Sequence, residues 1–161
     1  MSVTNVVHDP EAMTLTFTSE YAAPVSRVWD MWRDPRLLER WWGPPTYPAT
    51  FVEHDLTPGG RVRYYMTGPG GDRHDGWWRV VDVDAPSRLE FENGLAGDDG
   101  EPRPGTPAMI VRVELSERAS GGTRMDVVAT FASLEAMELF LGMGFREGFA
   151  AAIGQVDDLL T

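Results

Sequence analysis

Two residue types are missing outright. The chain has no cysteine and no lysine; all fourteen of its basic side chains are arginine. Without cysteine there can be no disulfide, no thiolate metal ligand and no cysteine nucleophile. That fits a reducing compartment, and a cytoplasmic location is expected. Without lysine there can be no Schiff-base chemistry and no phosphate-binding P-loop, whose motif needs that residue. Positive charge is scarce as well: the formal net charge is -11 and the pI about 4.6. Such a surface repels the phosphates of nucleic acids and of anionic membranes, so neither is an expected partner. No apolar run approaches the ~18 residues of a membrane span. The opening MSVTNVVHDPEAM lacks the basic and apolar regions of a signal peptide, and residues 1–13 are expected to form a flexible tail.

What is present fits one domain over residues 1–161. A chain of this length buries roughly 68–70% of its unfolded surface, enough for a core and a modest pocket. Thr14 to Tyr21 alternates apolar and polar, the period of a strand. The stretch PVSRVWDMWRDPRLLERWWGPP from Pro24 to Pro45 holds four of the six tryptophans. Val25, Val28, Trp29 and Trp32 recur at helical spacing behind Pro24. Asp34 is placed to cap a second short helix bearing Leu37, Leu38, Trp41 and Trp42, stopped by Gly43-Pro44-Pro45. The tryptophans either close one end of the core or form a contact surface for a partner protein.

Strand patterns follow at Thr50 to Leu56, Arg61 to Thr67, His74 to Val83, Arg88 to Asn93, Ala108 to Glu117 and Thr123 to Phe131. In the first of these, alternation sets Val52, His54 and Leu56 on one face and Phe51 on the other. Gly94 to Pro107 has no periodicity and reads as a loop, a candidate lid. Ser133 to Leu160 reads as one long helix with Ser133 as its N-cap. Gly142, Gly144 and Gly148 lie within it. With no strand before them they are not a dinucleotide motif, and they read as a place of close backbone approach. The pattern is α+β: an antiparallel sheet with its helices gathered on one face.

Chemistry is less visible than fold. No GxSxG elbow or ordered catalytic triad occurs. His54, Tyr64 and Arg63 are the candidates for proton transfer or anion recognition. His54 reads equally as a hydrogen-bonded wall residue, and Arg63 as an outward-facing partner of Glu53. Two interior histidines and scattered carboxylates give no metal-ligand spacing, so no metal and no cofactor are expected. Alternation turns His54, Tyr64, Met66, Trp78, Phe91, Met109 and Val111 toward Met137, Phe140, Leu141, Phe145 and Phe149 of the last helix. Methionine and aromatic side chains suit an adaptable ligand surface, and they equally suit a filled core.

Five segments in order carry a family resemblance: PVSRVWDMWRDPRLLERWWGP, EHDLTPGGRVRYYM, VVDVDAPSRLEF, GGTRMDVVATF and GMGFREGFAAAIGQVDDLL. Together they are similar to the activator of Hsp90 ATPase homologue 1-like (AHSA1-like) family of the START-like, or SRPBCC, superfamily. The resemblance implies a helix-grip fold: a curved antiparallel sheet of about six to seven strands wrapped around a long C-terminal helix, with an apolar cavity between. It implies a hydrophobic small-molecule ligand. Elsewhere in the superfamily the same cavity serves cyclase or aromatase enzymes, and the Hsp90 activator itself is a protein-interaction module. Both stand as alternatives, and the chain is expected to be a monomer or a homodimer. One position departs from the pattern: Gly148-Phe149 stands where the family carries Gly-Trp, so an indole N–H is lost.

Overall fold

The computed structural model describes residues 3–160. Eight strands form one antiparallel sheet: β1 (Val3–Asp9), β2 (Thr14–Tyr21), β3 (Ala49–His54), β4 (Arg61–Thr67), β5 (Arg73–Asp84), β6 (Arg88–Ala96), β7 (Met109–Glu117) and β8 (Thr123–Phe131). Their order is β1-β2-β8-β7-β6-β5-β4-β3. Among the described residues five helices accompany it: α1 (Val25–Arg33), α2 (Pro35–Leu38), α3 (Leu134–Gly142), α4 (Phe145–Ile153) and α5 (Val156–Leu160). The sheet gripping its C-terminal helices is the expected helix-grip architecture, with eight strands rather than six to seven. The additional strand is β1, which lies in the segment expected to be a tail. It adds to the sheet edge by pairing Asn5 to Asp9 with Thr18 to Thr14. Among the described residues no helix is long and apolar enough to cross a membrane.

Alternation places the core. The inner rows Met109, Val111, Val113 and Leu115 of β7 and Met125, Val127, Ala129 and Phe131 of β8 are all buried. Opposite them, α1 lays Trp29 and Trp32 on the sheet, and the Trp32 indole approaches Met125 Sδ at 3.4 Å. Both predicted caps form: Asp34 Oδ1 accepts from Arg36 N, and Ser133 Oγ accepts from Ala136 N. All four tryptophans of the opening motif are buried, so they are core rather than contact surface.

Three expectations need correction. In β3 the register shifts between Phe51 and Glu53, which reverses the expected faces: Phe51 is buried and Val52 is 62% exposed. The cause is the edge position of β3. α2 covers that edge, where Glu39 accepts from Phe51 N at 2.8 Å and Arg36 donates to Phe51 O at 2.9 Å. The long helix is three segments. Gly144 has φ +83°, outside the helical region, and separates α3 from α4. The stretch Gly94 to Pro107 is no lid. Its first three residues extend β6, and the rest folds onto the outer face, where Arg63 donates to Asp99 O and Arg61 pairs with Glu101.

His54 serves this framework. Its Nε2–H donates to the Trp32 carbonyl at 3.1 Å, one of the acceptors left over at the end of α1. Burial pulls its pKa below the ordinary histidine value, against the opposing effect of that bond. The fold therefore favours neutral His54, and the unfolded chain takes up the proton first. Stability from this group is complete above about pH 6.5 and declines as pH falls toward the lowered folded value. Denaturant midpoints between pH 7.5 and 5 should show that decline in the wild type and a shallower one in His54→Gln. Identical slopes would contradict the role.

Candidate ligand cavity

A cavity of about 420 Å³ lies between the sheet and α3–α4. The sheet contributes Tyr64 and Met66 from β4, His74 from β5, Asn93 to Leu95 from β6, and Met109 from β7. The helices contribute Phe140, Phe145, Gly148 and Phe149, with Met143 between α3 and α4. Trp42, Pro44 and Tyr47 of the segment between α2 and β3 complete the wall. The lining is mostly aromatic and thioether, a surface suited to apolar molecules.

Several devices hold it open. Tyr64 lies directly across from Gly76 in the β4–β5 pair. A β-carbon at Gly76 would overlap the Tyr64 ring, so glycine lets that ring lie flat against the sheet. Phe51 stacks on its other side at 5.1 Å. Trp42 meets Tyr64 and Phe149 edge to face, at 5.8 and 5.5 Å. Phe149 in turn stacks on Phe145 and meets Phe17. Across the gap, Gly148 leaves α4 bare: nothing lies within 4 Å of where its β-carbon would be.

Two polar groups occupy the inner wall. The Tyr64 hydroxyl donates to Asn93 Oδ1 at 3.1 Å. Burial pushes the Tyr64 pKa up to about 12, so the phenol keeps its proton at neutral pH. The Trp42 indole N–H lies near enough to the Tyr64 oxygen to oppose that rise. It falls short of hydrogen-bond geometry and has no other acceptor. At the mouth, the Asp72 carboxylate accepts from His74 Nε2 at 3.0 Å and from the Tyr47 hydroxyl at 3.1 Å. The bond from His74 holds the Asp72 pKa below the ordinary carboxylate value, with help from Tyr47 and against a desolvation effect that raises it. The same contact raises the pKa of Tyr47.

Of the residues expected to face the ligand, Tyr64, Met66, Met109, Phe140, Phe145 and Phe149 line the cavity. Trp78, Phe91, Val111 and Met137 are buried in the core, and half-buried Leu141 packs against it. His54 is turned to α1, and Arg63 to the outer face of the sheet, so of the three candidates for chemistry Tyr64 alone reaches the cavity. Glu53 pairs with Arg61 rather than with Arg63. Sequence reasoning missed Trp42, Pro44, Tyr47, His74, Asn93, Leu95 and Met143. Asn93 had a signal: it is the one polar side chain in the inner row Leu89, Phe91, Asn93, Leu95. Among the described residues no three His, Asp or Glu side chains gather as metal ligands.

A curved sheet closed over C-terminal helices, with an apolar hollow between them, defines the helix-grip class. The chain belongs to the family of activator of Hsp90 ATPase homolog 1-like proteins, which matches it over residues 22–161. It is 48% identical to protein Ms6760 from Mycobacterium smegmatis, whose crystal structure superposes with a TM-score of 0.91 over 99% of this chain and 97% of that one. It is 45% identical to a protein from Arthrobacter aurescens solved by NMR, with a TM-score of 0.94 over 99% of this chain and 92% of that one. CalU16 from Micromonospora echinospora, 21% identical with a TM-score of 0.57 over 92% of this chain and 76% of that one, shares the fold alone. No curated protein matches the chain.

The two helix glycines should respond oppositely to alanine. At Gly148 the backbone is helical and the space is open, so Gly148→Ala should stabilise by about 0.5–1 kcal/mol. At Gly144 the positive φ makes alanine cost about 1–2 kcal/mol. Urea unfolding of the two variants measures both; equal shifts of the same sign would contradict this reading of the helix break.

Proposed function

We propose that this protein binds a small apolar or aromatic molecule in the cavity between its sheet and its C-terminal helices. The observation that carries the proposal is the hollow of about 420 Å³ itself, walled by aromatic and methionine side chains. Burying such a ligand contributes roughly 25 cal/mol per Å² of apolar surface, from which the cost of immobilising it is subtracted. The wall is preformed. Tyr64, Trp42 and Phe149 hold one another edge to face, so little side-chain ordering remains to oppose binding.

Binding is better supported than cyclase or aromatase chemistry. A general base must lie within hydrogen-bond reach of the proton it removes. His54 is committed to the Trp32 carbonyl, and Tyr64 keeps its own proton at neutral pH. The partner-protein reading loses its strongest surface, because the tryptophans of the opening motif are buried.

The test is to fill the hollow from its open wall. Truncating Phe149 would enlarge the site and destabilise the core by about 3–5 kcal/mol, so Gly148→Leu is the cleaner change. The uncharged probe N-phenyl-1-naphthylamine should gain fluorescence with the wild type. With Gly148→Leu its affinity should fall at least about tenfold, or ~1.4 kcal/mol, at an unfolding midpoint no lower than wild type. Unchanged uptake by the folded variant would contradict the cavity as the binding site.

A further inference from the structure

We infer that the ligand carries an uncharged hydrogen-bond acceptor, a carbonyl group in the first instance, that is received by the side-chain amide of Asn93. The inference rests on the cavity being the binding site and narrows the class of molecule that enters it.

The direction of one hydrogen bond carries the argument. Asn93 is over nine-tenths buried and lines the cavity between Trp78 and Met109, its neighbours on β5 and β7. Tyr64 donates to Asn93 Oδ1. The phenol has a single proton, and it is spent on Asn93. That order fixes the amide: its oxygen is used, and its two N–H donors remain. No acceptor among the described residues takes either of them. Asn93 lines the hollow, so an acceptor on a bound ligand can take up these donors directly.

The same wall discriminates against other ligands. The Trp42 N–H is a second donor without a partner, and the side-chain oxygens of Tyr64 and Asn93 are already engaged with each other. A ligand hydroxyl would have to compete for the Tyr64–Asn93 bond. A ligand carboxylate would lose its hydration among aromatic and thioether side chains, with no cationic partner among the residues that line the hollow apart from His74 at its mouth. The net charge of -11 repels anions at long range as well. Aromatic ketones, quinones, esters and amides satisfy all of these conditions.

Two naphthalenes differing only in that acceptor make the test: 2-acetylnaphthalene and 2-isopropenylnaphthalene, in which C=CH2 replaces C=O. The chain has three side-chain amides, Asn5, Asn93 and Gln155, so a 15N-labelled sample gives three resolvable pairs of signals. The Asn93 pair should move downfield with the ketone and stay nearly in place with the alkene. In Asn93→Leu, the ratio of ketone to alkene affinity should drop about five- to tenfold; taking the ratio cancels the different hydration of the two probes. Should Asn93→Leu not fold, the wild-type amide signals decide alone. If both probes bind and the Asn93 amide responds equally to each, the carbonyl inference is overturned while the cavity stands. If neither probe binds, the cavity reading falls with it.

Discussion

The carbonyls left over at the end of α1 determine where everything else in the cavity wall can go. A helix strands its last acceptors, and buried ones must find donors. Here the Met31 carbonyl takes the Trp41 indole at 2.9 Å and the Trp32 carbonyl takes His54. Trp41 is thereby fixed across α1, its ring meeting Trp32 at 4.7 Å. With Trp41 fixed, its neighbour Trp42 is directed to the other side, against Tyr64, Trp78 and Phe149. Gln155 then binds the Trp41 and Gly43 carbonyls and ties the C-terminal helices to the same segment. The hollow exists because these polar bonds hold the tryptophan wall at one side while the sheet curves away.

That wall also explains the division of labour among the polar residues. Histidine, tyrosine and arginine were the natural candidates for chemistry, yet two of the three are structural. His54 completes a helix end, and Arg63 anchors the 97–107 segment to the back of the sheet through the Asp99 carbonyl. What remains inside is a donor-rich corner of Tyr64, Asn93 and Trp42 in an otherwise apolar hollow. The acidic and aromatic group of Tyr47, Asp72 and His74 sits at the mouth, where it meets solvent.

Period-two alternation made β7 and β8 legible residue by residue, because both are internal strands with one face on the core. It failed in β3 for a local reason: an edge strand can bulge when a helix supplies partners for its free backbone, and Arg36 and Glu39 do so for Phe51. The strand at Val3–Asp9 carries too weak an alternation to announce itself, and it is held by its pairing with β2 and by Val6 packed against the core. The helix break at Gly144 depends on a backbone angle that composition does not encode. For the cavity, strand and helix faces yielded about half the lining. Trp42, Pro44 and Tyr47 were illegible because periodicity does not apply between elements, and only the folded chain brings them to Tyr64.

The most direct test of the central claim is to locate a bound molecule by its contacts with methionine methyl groups. The chain has eight methionines, of which Met66, Met109 and Met143 line the hollow while Met31, Met125 and Met137 are buried in the core. With methyl-labelled methionine and 2-acetylnaphthalene, intermolecular NOEs should connect the probe to Met66, Met109 and Met143 and to none of the core three. NOEs confined to other methionines, or none at saturating probe, would contradict the hollow between sheet and helices as the site where this protein works.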